Sequence, residues 1–250
     1  MKILAVEASG PVAGCAVLED GLLVAEYSTQ YKKKHSQSLI PMLDEMCRMV
    51  ELDLKEIDAI AVTAGPGSFT GLRIGAATVK GLGLALDKPL IPVPTVDALA
   101  SGVFGTDMLV CPLMDARRQQ VYTGIYECRT KLTVLHPQCV VPLSEIAARL
   151  NELAAGTREV LFLGDGVPVS KEALGGLMEV PYHFAPAHLD RQRAAALAVR
   201  AADLWEETGE ACLVSADAFR PEYLRKPQAE RELGSRRNYS MVQPAGTGNV

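Results

Sequence analysis

The sequence predicts an α/β fold made of two halves that repeat one order of strands and helices. Two groups of three short β-prone segments, at residues 2–28 and 108–140, are each followed by alternating helical and strand segments. The composition, with 48% hydrophobic and 22% charged residues over 250 positions, is that of a globular protein. A chain of this length buries roughly three quarters of its unfolded surface, so its core needs no disulfide or metal.

The first half begins with three antiparallel strands. They are predicted at residues 2–6, 12–18 and 22–28. Asp20 and Gly21 form a strong hairpin signal between the last two. A helix to about Val50 follows, with Ser38 as its cap and Pro41 in its first turn, where a missing N–H costs little. The alternating elements of a parallel sheet are then predicted at residues 57–64, 70–86, 90–93 and from Thr95.

The second half repeats this order as βββαβα. Its elements are predicted at residues 108–114, 121–126, 132–140, from Ser144, at 160–163 and from about Ala194 to Glu206. A duplicated unit of this kind is the plan of the actin, hexokinase and Hsp70 ATPase superfold, in which nucleotide binds between the halves. We therefore expect an ATPase-like half at residues 1–104, a smaller one at 105–225 whose last helix is free to pack back on the first half, and a flexible polar tail at 226–250.

The charge balance limits the classes of partner. The net charge is −5, from 25 Lys and Arg against 30 Asp and Glu, which argues against a general nucleic-acid-binding surface. Local positive charge is offered only by Lys32–Lys34 and by arginines in the tail. The apolar run at residues 1–7 is too short for a signal sequence, and nowhere do eighteen apolar residues run together, which predicts a cytoplasmic protein without a membrane span.

No metal site is predicted from the cysteines and histidines. The six cysteines form no CxxC pair, so the sequence contains neither a zinc motif nor a redox motif. His35 has no second histidine one helical turn later, and His136, His183 and His188 are predicted in separate loops.

A glycine-rich stretch from Thr63 to Gly75 joins a buried strand to a helix N-terminus. Free backbone N–H groups at such a turn hold anions, although the stretch lacks the lysine of a Walker A loop and offers only Arg73 on the first helical turn. The alternative is structural: Gly65 and Gly67 form a tight turn, and the helical glycines let the helix pack against a neighbouring backbone. The sequence leaves both interpretations open.

The helix that ends near residue 50 carries two adjacent apolar stripes. One consists of Ile40, Leu43, Cys47 and Val50, and the other of Leu39, Met42, Met46 and Met49. Covering one sheet face requires only the first stripe, which leaves the methionine-rich stripe as an adaptable surface for another protein. A helix sandwiched inside its own domain gives the same pattern.

Two carboxylates stand at the ends of predicted strands. Glu7 and Asp115 occupy the places where this superfold puts the aspartates that hold Mg²⁺ and water, although Glu7 is one methylene longer than that pattern requires. The alternative is that each carboxylate caps the turn that follows its strand.

Motifs along most of the chain resemble one family. They are Ile3–Ser9, His35–Ser36 with Leu39 and Pro41, Gly65–Gly75, Lys80–Leu82, Asp115–Arg117 with Val121–Tyr122, and Pro221–Arg225. They cover residues 1 to about 225 and resemble the bacterial tRNA threonylcarbamoyladenosine biosynthesis proteins of the TsaB type, also called YeaZ-like; the glycine-rich block is the most specific of them. The resemblance implies an accessory subunit that binds a catalytic paralogue of the TsaD type and an ATPase of the TsaE type, and that meets tRNA only through the complex.

The resemblance also implies that this subunit is not catalytic. The catalytic paralogue of the family has a His-x-x-x-His metal pair after its Ile-Pro-Val strand, and the matching positions here are Thr95 and Leu99, which cannot replace two imidazoles. Glu7 stands in place of the family's usual Asp. A degenerate nucleotide cleft without metal or cofactor is therefore expected from Glu7, Ser9, Asp115 and Arg117. The alternative is an active ATPase or small-metabolite kinase that uses Glu7 and Asp115 with magnesium.

A partner interface is predicted on the methionine-rich stripe and the small-residue helix beside it. The residues assigned to it are Leu39, Met42, Met46, Met49, Gly71, Gly75, Ala76 and Val79. Related folds would meet helix pair against helix pair, and the same patch would form a homodimer when the paralogue is absent.

Overall fold

The structure, a computed structural model of the chain, describes residues 1–31, 34–156 and 158–225. They form two five-stranded sheets with helices on their faces. The predicted flexible tail at residues 226–250 lies outside the described residues, as do Lys32 and Lys33. No helix within the described ranges is both long and apolar enough to cross a membrane.

The first sheet combines antiparallel and parallel pairing. Its strands are β1 (Lys2–Glu7), β2 (Ala13–Glu19), β3 (Leu22–Thr29), β4 (Ala59–Gly65) and β5 (Leu90–Pro94). They lie in the order β3-β2-β1-β4-β5, with β1 and β3 antiparallel to β2, and β1, β4 and β5 mutually parallel. The helices of this half are α1 (His35–Met49), α2 (Phe69–Leu86) and α3 (Thr95–Ala100), with a 3-10 turn at Leu54–Glu56. The prediction of three opening antiparallel strands is confirmed.

The second sheet has the topology of the first. Its strands are β6 (Leu109–Asp115), β7 (Gln120–Cys128), β8 (Leu132–Pro142), β9 (Val160–Leu163) and β10 (Tyr182–Phe184). The order β10-β9-β6-β7-β8 places β6 at the centre, antiparallel to β7 and parallel to β9, as β1 is to β2 and β4. The helices are α4 (Leu143–Ala154), α5 (Val167–Leu177) and α6 (Ala194–Thr208), with a 3-10 turn at Gly209–Cys212.

Two of these elements were absent from the predicted second half. α5 carries Pro168 in its first turn and the glycines Gly175 and Gly176 near its end, all of which weaken a helical signal in the sequence. β10 has only three residues. The order of the second half is therefore βββαβαβα, as in the first half, and His136 and His183 lie in strands rather than in loops.

Both faces of the first sheet are covered. α1 and α2 pack on one face, where Leu43 and Val79 join Leu4 and Val6 in one buried cluster. On the other face α6 packs on the side chains of β1 and its neighbours through small and branched residues; these are Ala194, Leu197, Ala198 and Ala201. The last helix thus follows the strands of the second half in the sequence but packs against the first sheet.

The inward face of α1 differs from the predicted one. Leu39 and Met46, assigned to the outward stripe, are 1% and 0% exposed, whereas Ile40, assigned to the inward stripe, is 50% exposed. The helix begins at His35, and the Ser38 hydroxyl donates back to the carbonyl of Lys34 instead of capping the start. The assignment of Leu39 and Met46 to a partner surface is wrong, because both contact the first sheet.

The inward face of α2 requires a similar correction. The four residues predicted to meet a partner are turned toward the chain's own sheet; they are Gly71, Gly75, Ala76 and Val79. A Cβ on Gly71 would lie 2.1 Å from the carbonyl oxygen of Ala8, so the close approach that this glycine permits is to β1 and the turn after it, not to another protein.

Candidate functional site

A cavity of about 460 Å³ lies between the two halves. The first half contributes the turn after β1 and the start of α2, and the second half contributes the turns after β6 and β9. Its walls include Ser9, Gly67, Phe69, Asp115, Arg117 and Asp165. Ligands of α/β folds bind at the carboxyl ends of parallel strands in this way. Of the four residues predicted to form a nucleotide cleft, Ser9, Asp115 and Arg117 line this cavity.

The glycine-rich turn packs directly on the end of β1. A Cβ on Gly67 would lie 2.3 Å from the carbonyl oxygen of Ser9, so a side chain at this position is excluded. The Ser68 N–H donates to that same Ser9 oxygen at 2.7 Å. The Ser68 hydroxyl accepts from the Gly71 N–H at 3.3 Å and caps α2. The close approach expected from the packing interpretation is observed at Gly67, and the anion-binding interpretation stays a prediction.

Glu7 lies beneath the cavity and is not among the residues that line it. Its side chain is 1% exposed. Its Oε1 accepts from the backbone N–H and the hydroxyl of Ser9, at 2.6 and 2.5 Å, and from the Thr63 hydroxyl at 3.4 Å. Burial raises the pKa of the Glu7 carboxyl to about 7, against the opposing effect of these hydrogen bonds.

Asp115 is the counterpart of Glu7 in the second half and does line the cavity. Its Oδ1 accepts from the Arg117 N–H at 2.7 Å, and its Oδ2 lies 3.2 Å from the Arg117 guanidinium. Both carboxylates therefore cap the turn after their strand, as the alternative interpretation predicted. Asp115 lines the cavity between the halves and Glu7 does not, so the two carboxylates lie at different depths.

Asp165 is a cavity residue that was not among the predicted site residues. It follows β9, and Gln192 donates to its Oδ1 at 3.3 Å. Burial raises the pKa of the Asp165 carboxyl, and the charge of Asp115 raises it further. Its position after a short buried strand and between two glycines is the signal in the sequence that points to it.

A C-terminal segment, residues 213–225, closes one side of the cavity. Lys80 of α2 donates to the carbonyls of Asp217 and Phe219, at 3.1 Å each. The Tyr223 ring lies 5.0 Å from that of Phe69, and Arg225 donates to the carbonyl of Ala116 in the second half. Residues 221–225, which end the predicted second half, thus contact both halves.

The positions that match the paralogue's histidine pair lie in the core. Thr95 and Leu99 are 0% and 2% exposed, and the Thr95 hydroxyl has no hydrogen-bond partner among the residues that the structure describes. Neither residue lines the cavity between the halves. Across the part of the chain that the structure describes, no group of three or more His, Cys, Asp or Glu side chains is placed to hold a metal ion.

The outer sides of α1 and α2 carry apolar residues that the chain itself does not cover. Met49 and Leu84 are 66% and 57% exposed. We call the α1–α2 outer face the set Met42, Met49, Ile74, Ala77, Gly81 and Leu84, of which Met42 and Ile74 are half-buried. A Cβ on Gly81 would meet no atom within 4 Å, so the surface there is open. Of the predicted interface residues, Met42 and Met49 belong to this face.

Two mixed sheets of one topology with a cavity between them define a protein of the actin-like ATPase fold. The family described as tRNA N6-adenosine threonylcarbamoyltransferase, TsaD, matches residues 23–233. The tRNA threonylcarbamoyladenosine biosynthesis protein TsaB of Bacillus subtilis is 33% identical over 232 residues, 92% of this chain and 96% of that protein. The chain belongs to the TsaB family of tRNA threonylcarbamoyladenosine biosynthesis proteins.

Solved structures agree with this assignment. A protein of Pseudomonas aeruginosa with similarity to peptidase YeaZ superposes with a TM-score of 0.75 at 27% identity, covering 90% of this chain and 99% of that chain. YeaZ from Pseudomonas aeruginosa superposes with a TM-score of 0.72 at 26% identity, covering 89% and 99%.

Proposed function

We propose that the chain is an accessory, non-catalytic subunit in the synthesis of threonylcarbamoyladenosine on tRNA. It supports a catalytic paralogue of the TsaD type, which transfers the threonylcarbamoyl group to the adenosine beside the anticodon, and it works with an ATPase of the TsaE type. The observation that carries this proposal is the α1–α2 outer face, an apolar surface on two helices whose inward sides are already filled.

The composition of the α1–α2 outer face suits a related helix pair. Met42 and Met49 are adaptable side chains that fit a partner of varied shape, and Ala77 and Gly81 let a second backbone come close. A TsaD-type paralogue presents a homologous pair of helices, so helix pair would pack against helix pair. The same face forms a homodimer when the paralogue is absent.

The site chemistry supports a non-catalytic role. Thr95 and Leu99 are buried side chains that cannot replace two imidazole ligands, and the Glu7 carboxylate is enclosed by Ser9 and Thr63. With a net charge of −5, the chain reaches tRNA through its partners rather than by its own surface. The lone chain is therefore expected to transfer no threonylcarbamoyl group and to bind tRNA weakly at physiological salt.

A pull-down on the immobilised paralogue tests the proposed face. The double variant Met49→Glu/Leu84→Glu places two charges on it, and a charge buried in an interface without a partner costs several kcal/mol, so binding should fall at least about a hundredfold. The matched control is Leu22→Glu/Leu153→Glu, which changes two exposed leucines outside the face. Circular dichroism checks that both variants are folded.

Three results would count against the proposal. Normal binding by the folded Met49→Glu/Leu84→Glu variant would remove the α1–α2 outer face from the interface. Transfer activity of the lone chain would end the non-catalytic assignment. Steady ATP hydrolysis that disappears in Asp115→Asn would favour an ATPase of the same fold instead.

A further inference from the structure

A second cavity, of about 790 Å³, opens in the second half of the molecule. It shares only Asp115 and Arg225 with the cavity between the halves. Its wall is built by the turn after β6 and by the first turns of two helices. The residues that matter for its chemistry are Arg118, Gln119, Ser144, Ser170 and Arg225.

Two helix N-termini meet at this cavity. α4 has 12 residues and begins after Pro142, and α5 has 11 residues and begins after Gly166; neither helix has a side-chain cap. Ser144 in the first turn of α4 and Val169 in the first turn of α5 both line the wall. The Leu143 and Val167 N–H groups donate to the carbonyls of Gln119 and Gly164, and Pro168 has no N–H. Ser144 and Val169 supply first-turn N–H groups without intrahelical acceptors, and the partial positive charge of both helix ends favours an anion here.

The charged side chains of the wall are predominantly positive. Arg118 is exposed and makes no ion pair or hydrogen bond with any residue that the structure describes. Arg225 donates to the carbonyls of Ala116 and Arg117. Asp115 is the one acid among the described wall residues, and its carboxylate is matched by Arg117.

An unpartnered hydroxyl faces the same cavity. Ser170 is 4% exposed and lies in the wall, and its side chain has no hydrogen bond to the described part of the chain. Because no protein group that the structure describes uses this hydroxyl, it is available to donate to a ligand oxygen in the cavity. This observation is independent of the helix ends and the arginines.

The turn that presents Arg118 is held in an unusual backbone conformation. Arg117, Arg118 and Gln119 have φ angles of 64°, 56° and 58°, three consecutive left-handed residues that are not glycine. The turn places the Gln119 carbonyl on the Leu143 N–H, at 3.3 Å, and so joins the arginine to the start of α4. Strained backbone of this kind is concentrated at ligand sites.

We propose that this cavity binds the phosphate group of a small phosphorylated metabolite. Two helix N-termini, the guanidiniums of Arg118 and Arg225, and the Ser170 hydroxyl offer more donors than a carboxylate has acceptor positions, whereas a phosphate has three free oxygens and a charge near −2. The site lies away from the α1–α2 outer face and does not depend on the proposed accessory role.

Calorimetric titration of the full chain with inorganic pyrophosphate tests the site. The wild type is expected to show saturable binding at one site. Arg118→Gln should weaken binding about tenfold or more, the effect of losing one charge-assisted contact, and Ser170→Ala should weaken it about threefold. The matched control is Arg149→Gln, which removes an exposed arginine of α4 that lies outside this wall. Thermal unfolding confirms that each variant is folded.

Three outcomes would overturn the proposal. The first is the absence of saturable pyrophosphate binding by the wild type. The second is equal binding by Arg118→Gln and Arg149→Gln. The third is displacement of pyrophosphate by stoichiometric unmodified tRNA, which would assign the phosphate to an RNA backbone rather than to a metabolite.

Discussion

The two halves share one topology and place a carboxylate at the end of the same strand, but they bury it differently. Glu7 ends β1 and accepts from the N–H of Ser9, two residues later, and Asp115 ends β6 and accepts from the N–H of Arg117 in the same way. Glu7 is enclosed, whereas the Asp115 side chain is 24% exposed and paired with arginine. Both halves thus share a carboxylate that caps the turn after its strand, and they differ in how far that carboxylate is exposed to solvent.

The second helix of each half shows the same contrast. α2 lies so close to the turn after β1 that a Cβ on Gly71 would meet backbone at 2.1 Å, whereas a Cβ on Gly175 of α5 would meet its nearest neighbour, the Tyr182 hydroxyl, at 3.8 Å. The first sheet is covered on both faces, by α1 and α2 and by α6. At these two helices the first half is thus packed more closely than the second half.

Alanine substitution of the two glycines should give the largest difference between the halves. Gly71→Ala places a Cβ against the carbonyl oxygen of Ala8. Because this oxygen belongs to the backbone, the clash can be relieved only by moving the main chain, and the substitution should lower the free energy of unfolding by about 3 kcal/mol or more. Gly175→Ala has room and should raise it by about 0.5 kcal/mol. Urea unfolding measures both, and equal effects would contradict the difference in packing.

The enclosed carboxylate should give the next largest effect, and it should depend on pH. Burial raises the pKa of Glu7 from 4.5 to about 7 in the folded chain, so the folded state keeps a proton that the unfolded state has lost. Stability therefore falls as the pH rises from about 4.5 to about 7. Glu7→Gln removes this fall and should stabilise the chain by on the order of 3 kcal/mol at pH 8, with little effect at pH 4.

Asp115→Asn is the matched control for that prediction. Its carboxylate is partly exposed and ion-paired, so the substitution should cost at most about 1 kcal/mol at either pH. Urea unfolding of both variants at pH 4 and pH 8 provides the comparison. A gain at pH 8 in Asp115→Asn as large as that in Glu7→Gln would show that burial of the first carboxylate is not the cause.

The smallest effects are expected from the C-terminal segment that joins the halves. Tyr223→Ala removes an aromatic pair with Phe69 of the first half and should cost about 1 kcal/mol. Arg225→Ala removes donors to the Ala116 carbonyl of the second half and should cost somewhat less, about 0.5 kcal/mol. Thermal unfolding checks both, and a cost above that of Gly71→Ala would make this segment, rather than the sheets, the main source of stability.

The sequence predicted the element order well where periodicity and turn residues agree. The opening hairpins, β4 with its glycine turn, and α2 were all found within two residues of their observed bounds. α5 and β10 were missed because proline and glycine obscure a helix and three residues carry no strand periodicity. The predicted fold class was nevertheless correct, because the complete βββαβαβα order of the first half was predicted and is enough to identify it.

The site was harder to predict than the fold. On α1 the two apolar stripes are adjacent, and hydropathy does not tell Met46, which is buried, from Ile40, which is exposed. Which stripe is buried depends on how the helix packs on the sheet, and this packing is a tertiary property that the local sequence does not encode. Phe69 and Tyr223 meet across 154 positions of sequence, a contact that no local pattern indicates.

Reconstituted threonylcarbamoyl transfer to tRNA tests the central claim most directly. The assay contains the TsaD-type paralogue, the TsaE-type ATPase and tRNA, and this chain is added as wild type, as Met49→Glu/Leu84→Glu or as the control Leu22→Glu/Leu153→Glu. We predict activity that depends on the wild-type chain, falls at least tenfold with the first variant and is kept with the control. Transfer without the paralogue, or full activity with the folded Met49→Glu/Leu84→Glu variant, would contradict an accessory role exercised through the α1–α2 outer face.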